Sequence, residues 1–339
     1  MSRSFDALNY AVLKIGQPSS FTVGPLPVSS VAMAEQAKLR SDVEYLLLRI
    51  LLGFFSLMPL SWAVRLGVAI APVGLWFPKL RRTGERNLEL AFPDMRIDER
   101  ERLLRGSFRN LGRLLALFSH FLHVTPDEIR KMVEYDPVGL PDVRRAEAEG
   151  RGILFLTAHI GAWEFLSFTW SALERPGSFI VRRIDNPRIE TLVDKFRTRF
   201  GNETIDKTTA VRRSLRVLRD GSWLGILADS NTHPKEGVFV PFMGHLACAT
   251  AGAATFALRT GAAVIPIAAV WQEERQRYLI YLDRQVELVR TGNNERDVEV
   301  NTARFTEAIE RMVRKYPDQY LWIHRRWKTR PPGEPPIYD

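Results

Sequence analysis

Five short apolar runs in the second half of the chain, at residues 153–158, 178–183, 224–229, 263–270 and 278–283, constrain its fold more than any other feature. Each is long enough for a strand and too short for a core helix. Between them lie stretches with helical spacing. Residues 208–220 carry Val211, Leu215 and Leu218 on one stripe and stop at Gly221, and residues 302–316 carry Phe305, Ile309, Met312, Val313 and Tyr316. Strands alternating with helices predict an α/β fold: a largely parallel central sheet flanked by helices. In such sheets ligands bind beyond the carboxyl ends of the strands, so the residues that follow each run are the candidates for function.

The first run leads directly into His159-Ile-Gly-Ala-Trp-Glu164. An imidazole takes up a proton near neutral pH, and a nearby carboxylate can orient it and stabilise its cation. Residues five apart on a regular helix lie roughly 140° apart, so His159 is expected in the turn before a helix, with Gly161 supplying the permissive backbone. A satisfied structural histidine with a solvated Glu164 is the alternative. After the second run come Arg182, Arg183, Asp185, Asn186, Pro187 and Arg188, where guanidinium groups at an Asn-Pro turn could clamp a phosphate or carboxylate or simply face solvent. After the third comes a polar loop from Asp229 through Asn231 and His233 to Gly237, then Val-Phe-Val-Pro241-Phe-Met and a turn at Gly244-His245. Phe239, Phe242 and Met243 suit the wall of an acyl slot and suit the core equally. A zinc site from His159, Glu164 and either His233 or His245 matches no helical zinc spacing, and His120 and His123 lack an acidic or cysteine partner nearby, so no metal is expected.

The N-terminal part differs in character. No cleavable signal peptide is evident in the first thirty or so residues. Residues 45–77 are mostly apolar but are interrupted by Arg49, Pro59, Arg65 and Pro72, and the uncharged stretch 50–64 falls short of the ~20 residues of a spanning helix. With Trp62 and Trp76 beside Lys79, Arg81 and Arg82, this region is expected to lie on an anionic membrane surface, the alternative being helices buried in a helical subdomain. A net charge of +9 agrees with an anionic partner. No RNA-binding aromatic signature, zinc finger or helix-turn-helix accompanies it, so nucleic acid is not expected. Residues 98–122 read as helix with Asp98 as N-cap. The single cysteine, Cys248, excludes an intrachain disulfide framework.

Four ordered blocks, His159 to Glu164, Arg182 to Pro187, Gly237 to Phe242 and Trp322-Ile-His-Arg325-Arg326-Trp327-Lys, together with Arg86-Asn87-Leu88 and Phe92-Pro93 upstream, resemble the bacterial lipid A biosynthesis (lauroyl/myristoyl) acyltransferase family of the lysophospholipid acyltransferase-like superfamily. The likeness runs from about residue 45 to residue 330. It implies an enzyme at the cytoplasmic face of the bacterial inner membrane that moves a fatty acyl group from an acyl carrier protein or acyl-CoA thioester to a hydroxyl of a lipid A precursor or related glycolipid, without a cofactor. His159 would be the general base and Glu164 its acidic partner. Arg182, with Asn186 shaping its turn, would grip a phosphate of donor or acceptor as part of the substrate-binding site, and Asp229 and Gly237 would shape the site. A lysophospholipid or phosphatidylinositol mannoside acceptor is the nearest alternative, and a noncatalytic peripheral protein binding anionic lipid the more distant one. Where relatives often carry an acidic residue near Gly112, this chain has Arg113 and Leu114. The expected organisation is a flexible segment at 1–40, one acyltransferase domain at 41–330 and an extended tail at 331–339. Within the domain, 41–82 is interfacial, 83–150 helical and 151–330 the catalytic α/β part. With no heptad seam, a monomer is expected.

Overall fold

The computed structural model describes residues 28–338, excepting the side chains of 28–35 and 37, so most of the expected flexible segment lies outside the described residues. The helical part comprises α1 (Val28–Ser56), α2 (Leu60–Ile70), a 3-10 stretch (Ala71–Trp76), α3 (Pro78–Ala91), α4 (Ile97–His120) and α5 (Pro126–Met132). The α/β part follows as β1 (Val133–Tyr135), α6 (Leu140–Ala148), β2 (Ile153–Thr157), α7 (Trp163–Leu173), β3 (Ser178–Val181), α8 (Pro187–Thr198), β4 (Glu203–Asp206), α9 (Ala210–Arg219) and β5 (Trp223–Leu227). It continues with β6 (Gly237–Phe242), β7 (His245–Thr250), α10 (Gly252–Thr260), β8 (Ala263–Gln272), β9 (Arg277–Leu282) and α11 (Asn294–Lys315).

Seven strands form one sheet in the order β1-β9-β8-β2-β5-β3-β4, and every pairing is parallel except β8 with β9. The mixed α/β architecture with a mostly parallel sheet is the one the strand and helix alternation predicts. All five residues of β2 are buried, because helices cover both faces of a central parallel strand. Its period-two alternation divides the core. Leu154 and Leu156 face a layer with Phe305, Ile309 and Met312 of α11, whereas Ile153 and Phe155 face one with Phe165, Phe168 and Trp170 of α7.

The sheet holds more strands than the five apolar runs foretell. β1 and β4 are short, and β4 begins and ends on Glu203 and Asp206 with only Ile205 fully buried, so neither has an apolar run to show. The stretch after Gly237 is an antiparallel hairpin of β6 and β7 turning at Met243 and Gly244, both with positive φ. Helix α4 is preceded by Arg96 as N-cap, not Asp98, which lies in the first turn and pairs with Arg96 at 2.9 Å. Helix α11 begins at Asn294 rather than near 302 because its early buried positions are polar: Asn293 caps it, and the buried Asp297 and Asn301 hold the preceding loop through Thr291 and Val289.

The helical part is joined to this core through α4. Gly67 of α2 and Gly112 of α4 meet so closely that a Cβ on either would lie 2.4 or 2.2 Å from the other's carbonyl oxygen. Among the described residues a set of large apolar side chains is exposed: Leu46, Leu47, Ile50, Phe54 and Leu57 of the α1 region, Trp62 of α2 and Trp76, with Leu57 at 86% and Trp76 at 80%. Among the described residues no single helix is long and apolar enough to cross a membrane.

Candidate active site

The site grows from the register of two neighbouring strands. Thr157 of β2 lies opposite Leu227 of β5, so His159 and Asp229, each two residues further on, leave the sheet side by side. The peptide nitrogen of His159 donates to Asp229 Oδ2 at 3.0 Å, and His159 Nδ1 lies 2.9 Å from Asp229 Oδ1. One carboxylate therefore holds both the main chain and the ring. Gly161, at φ +58°, turns the chain toward α7, and no side chain fits there because a Cβ would lie 2.0 Å from Ala269 O. The His159 side chain retains 25% exposure, and its Nε2 has no partner among the described residues. Trp163, in the first turn of α7, meets the ring edge-on at 5.3 Å between centroids.

The electrostatics favour an ion pair. Burial disfavours the His159 cation, but the Asp229 charge and hydrogen bond, helped by Glu164, outweigh it and raise the imidazole above its ordinary value. Burial likewise works against a charged Asp229, which is fully buried, yet His159 holds its carboxyl well below the usual carboxylate range. Tyr320 is buried beside the same carboxylate; burial first and the Asp229 charge second raise its phenol well above the ordinary value and keep it protonated. His324 lies with Nε2 3.3 Å from Asp229 O and its ring 6.2 Å from that of His159, and burial lowers its pKa.

Glu164 occupies a different place from the one its spacing suggests. Its carboxylate is gripped by Arg197 of α8, Nε to Oε2 at 3.0 Å and Nη2 to Oε1 at 2.5 Å, while the hydrogen bond to the imidazole belongs to Asp229. Burial raises the Glu164 carboxyl, but Arg197 outweighs burial and holds it below the usual range. Glu164 thus acts on His159 through space. Arg182 is exposed and pairs with Asp185 at 3.4 Å. Asn186 is buried: Oδ1 caps α8 by accepting from Arg188 N and Ile189 N, and Nδ2 donates to Ser41 O of α1 at 2.7 Å. Both ends of that amide are engaged within the protein. Gly237 begins β6 where a Cβ would lie 2.4 Å from Ala249 O, so its smallness serves the hairpin.

Phe242 and Met243 are core, Phe242 lying 5.7 Å from the ring of Trp327, whereas Phe239 is only part-buried. Cys248 is buried, and burial raises its thiol, so it offers no thiolate nucleophile. Among the described residues no three His, Cys, Asp or Glu side chains converge to hold a metal ion. Spacing along the chain missed the contact between His159 and Asp229, although two polar residues just past adjacent parallel strands is a signal that strand order would have exposed. Arg197 gave no signal, being one base in an amphipathic helix.

Comparison with known proteins identifies the family of the chain. Residues 33–329 match the model of the family described as bacterial lipid A biosynthesis acyltransferase. The chain is 30% identical over 290 residues to the lipid A biosynthesis lauroyltransferase of Escherichia coli K12, covering 83% of this chain and 90% of that protein. It is 28% identical to the palmitoleoyltransferase of the same organism (80% and 87% covered) and 24% identical to its myristoyltransferase (81% and 90% covered). With likeness running through both the helical part and the sheet that carries His159, this chain is an acyltransferase and belongs to the bacterial lipid A biosynthesis acyltransferase family.

Proposed function

We propose that the protein transfers a fatty acyl group from a thioester of acyl carrier protein or coenzyme A to a hydroxyl of a lipid A precursor, with His159 as general base and Asp229 as the carboxylate that orients it. The observation that carries this reading is the pairing of His159 Nδ1 with the buried Asp229, which leaves Nε2 without a partner among the described residues, on a side chain 25% exposed at the end of β2. An Nδ1–H held by a carboxylate fixes the tautomer whose Nε2 lone pair can accept a proton.

In the transfer, Nε2 takes the proton of the lipid hydroxyl as the hydroxyl oxygen bonds to the thioester carbonyl carbon. The tetrahedral intermediate collapses with loss of the carbon–sulfur bond, and the imidazolium returns the proton to the leaving thiolate. Atoms balance without an acyl-enzyme, in keeping with the burial of Cys248. The Asp229 carboxylate stabilises the transient imidazolium by direct contact, and Glu164 adds to it from further away. Arg182, just past the end of β3, supplies an exposed guanidinium for a phosphate of donor or acceptor.

Both substrates bring the reaction to a membrane: the acceptor is a lipid and the transferred chain is apolar. The uncovered apolar surface of α1, α2 and Trp76 would seat the protein in the headgroup region, which needs no spanning helix. The cytoplasmic face of the inner membrane is where either thioester donor is available. The test is transfer from labelled acyl carrier protein and acyl-CoA thioesters to lipid A precursor and to total lipid, with the intact protein beside His159→Ala. Labelled lipid A precursor formed only by the intact protein is expected. Label confined to a lysophospholipid would overturn the acceptor, and equal labelling by both proteins would overturn the base.

A further inference from the structure

The turn that carries His159 leaves the β2–β5 ladder and is held by contacts with other elements, β8 among them through the bridge of Gly161 with Ala269. The pairing of β2 with β5 ends at Thr157, beyond which Ala228 N still donates to Thr157 O at 2.9 Å, and the chain then passes through Gly161, the residue type with the widest backbone freedom. The peptide that follows Gly161 is fixed by two groups outside that ladder. Its Ala162 N–H donates to Ala269 O at 2.7 Å, and its other end, Gly161 O, accepts from Asn110 Nδ2 of α4 at 2.8 Å. One peptide plane is thus held at both ends, by a strand on one side and a helix side chain on the other.

The same Asn110 amide reaches the segment that returns after α11. Nδ2 also donates to Gln319 O at 3.3 Å, an oxygen that accepts from Gly161 N at 3.0 Å, and two residues on Leu321 N donates to His159 O at 2.9 Å. That segment is held from the helical part as well, Ser107 Oγ donating to Tyr320 O at 2.6 Å and Asn87 Nδ2 to Trp322 O at 2.6 Å. Asn110 is the member of this set that touches the catalytic turn.

Its surroundings argue that the amide is kept for its donor. Asn110 is 2% exposed, and its Oδ1 is buried without a hydrogen-bond partner among the described residues. An orphaned buried acceptor is destabilising, so for packing alone an apolar residue of the same shape would serve better. The amide hydrogens, by contrast, satisfy a carbonyl that has no other donor among the described residues, at the point where the turn enters α7.

We propose that Asn110 is a positioning residue of the transfer reaction, fixing the Gly161 peptide and with it the direction in which the turn presents His159. The inference rests on His159 being the base. Displacing a reacting group by about 1 Å costs on the order of 100-fold in rate, so loss of the donor should act on kcat and leave KM nearly unchanged.

The test compares Asn110→Leu, which keeps bulk without polarity, and Asn110→Asp, which keeps shape but turns an acceptor toward two carbonyls, with His159→Ala as control. Each variant is checked by thermal unfolding and assayed for kcat and KM. Roughly ten- to hundredfold lower kcat in both Asn110 variants at near-parental KM is expected. Should Asn110→Leu fail to fold, the shape-conserving Asn110→Asp carries the same reading. A folded Asn110→Leu or Asn110→Asp with more than half the parental kcat, or a loss confined to KM, overturns the inference. Parental rates in the Asn110 variants beside an inactive His159→Ala would refute the positioning role alone, whereas an active His159→Ala would refute the base assignment on which it stands.

Discussion

Asp229→Asn separates the two carboxylates that could serve His159. The two bonds to Asp229 decide what the amide must do. The peptide N–H of His159 requires an acceptor at the Oδ2 position, 3.0 Å away, so the carboxamide oxygen goes there and its NH2 faces Nδ1 at the Oδ1 position, 2.9 Å away. Nδ1 must then accept rather than donate. The ring is driven into the Nε2–H tautomer, which has no lone pair for a substrate proton. The carboxylate charge that stabilises the imidazolium is lost as well. For charges about 4 Å apart at an effective dielectric near 20 this interaction is about 4 kcal/mol, which corresponds to roughly a 10³-fold loss of rate.

The expected result is a kcat about three orders of magnitude below the parent with KM little changed. Initial rates of acyl transfer in mixed micelles, measured as a function of pH, provide the assay. Because Asp229 raises the imidazole, parental kcat/KM should climb as pH rises through a value above the ordinary imidazole pKa of about 6.5. Any residual activity of Asp229→Asn should climb at lower pH, since the neutral amide no longer favours the cation. Retention of more than a tenth of parental activity by Asp229→Asn, or a larger loss in Glu164→Gln, would refute the assignment of Asp229 as the orienting group.

Arg197→Ala leaves the Glu164 carboxylate buried without its partner and should cost about 3–5 kcal/mol in denaturant unfolding at neutral pH. Because the Glu164 carboxyl is held below its usual range, the stability it contributes is present above the ordinary carboxylate pKa and fades as pH falls through the folded-state value, so parent and variant should converge in acid; a constant difference would contradict this. Gly112→Ala places a methyl 2.2 Å from Gly67 O and must push α2 away, lowering stability by about 1–3 kcal/mol, and an unchanged thermal midpoint would show that the helices are not in contact. Replacing Leu47, Leu57 and Trp76 together by serine should weaken sedimentation with anionic vesicles by at least about tenfold while transfer to a detergent-dispersed acceptor persists, since burying one such side chain contributes about 1.5–3 kcal/mol; unchanged vesicle binding would refute the proposal that this surface meets a membrane. Arg182→Ala should raise KM for one substrate with kcat nearly intact, and a kcat effect alone would place Arg182 outside substrate capture.

What the sequence disclosed of the fold follows from how each strand is buried. β2, β5 and β8 lie inside the sheet, so they are apolar along much of their length and stand out as runs, and the helices between them keep a stripe for one face only. β4 at the sheet edge needs only Ile205 inward, and β1 at the other edge is three residues long; such strands exist because a neighbour offers them a ladder, which their own composition does not announce. The start of α11 was hidden for a related reason. Asp297 and Asn301 occupy core-facing positions to hold a loop by hydrogen bonds, and a search for apolar periodicity passes over them.

The candidate site was legible to the same extent. His159 is visible because the strand before it is, and the carboxyl end of a strand in an open parallel sheet is where ligands gather whatever the rest of the chain does. Its carboxylate is another matter. Glu164 lies five positions on, and proximity in sequence makes it the natural partner, but one helical turn carries it toward α8, where Arg197 takes up both its oxygens. Asp229 is 70 residues away and next to His159 in space, because β5 runs beside β2 with Thr157 opposite Leu227. The general consequence is that in a parallel sheet the partners of a strand-end residue come first from the ends of neighbouring strands and only second from its own helix. Strand order is the missing variable, and once it is known Asp229 follows by counting two residues past the last ladder pair.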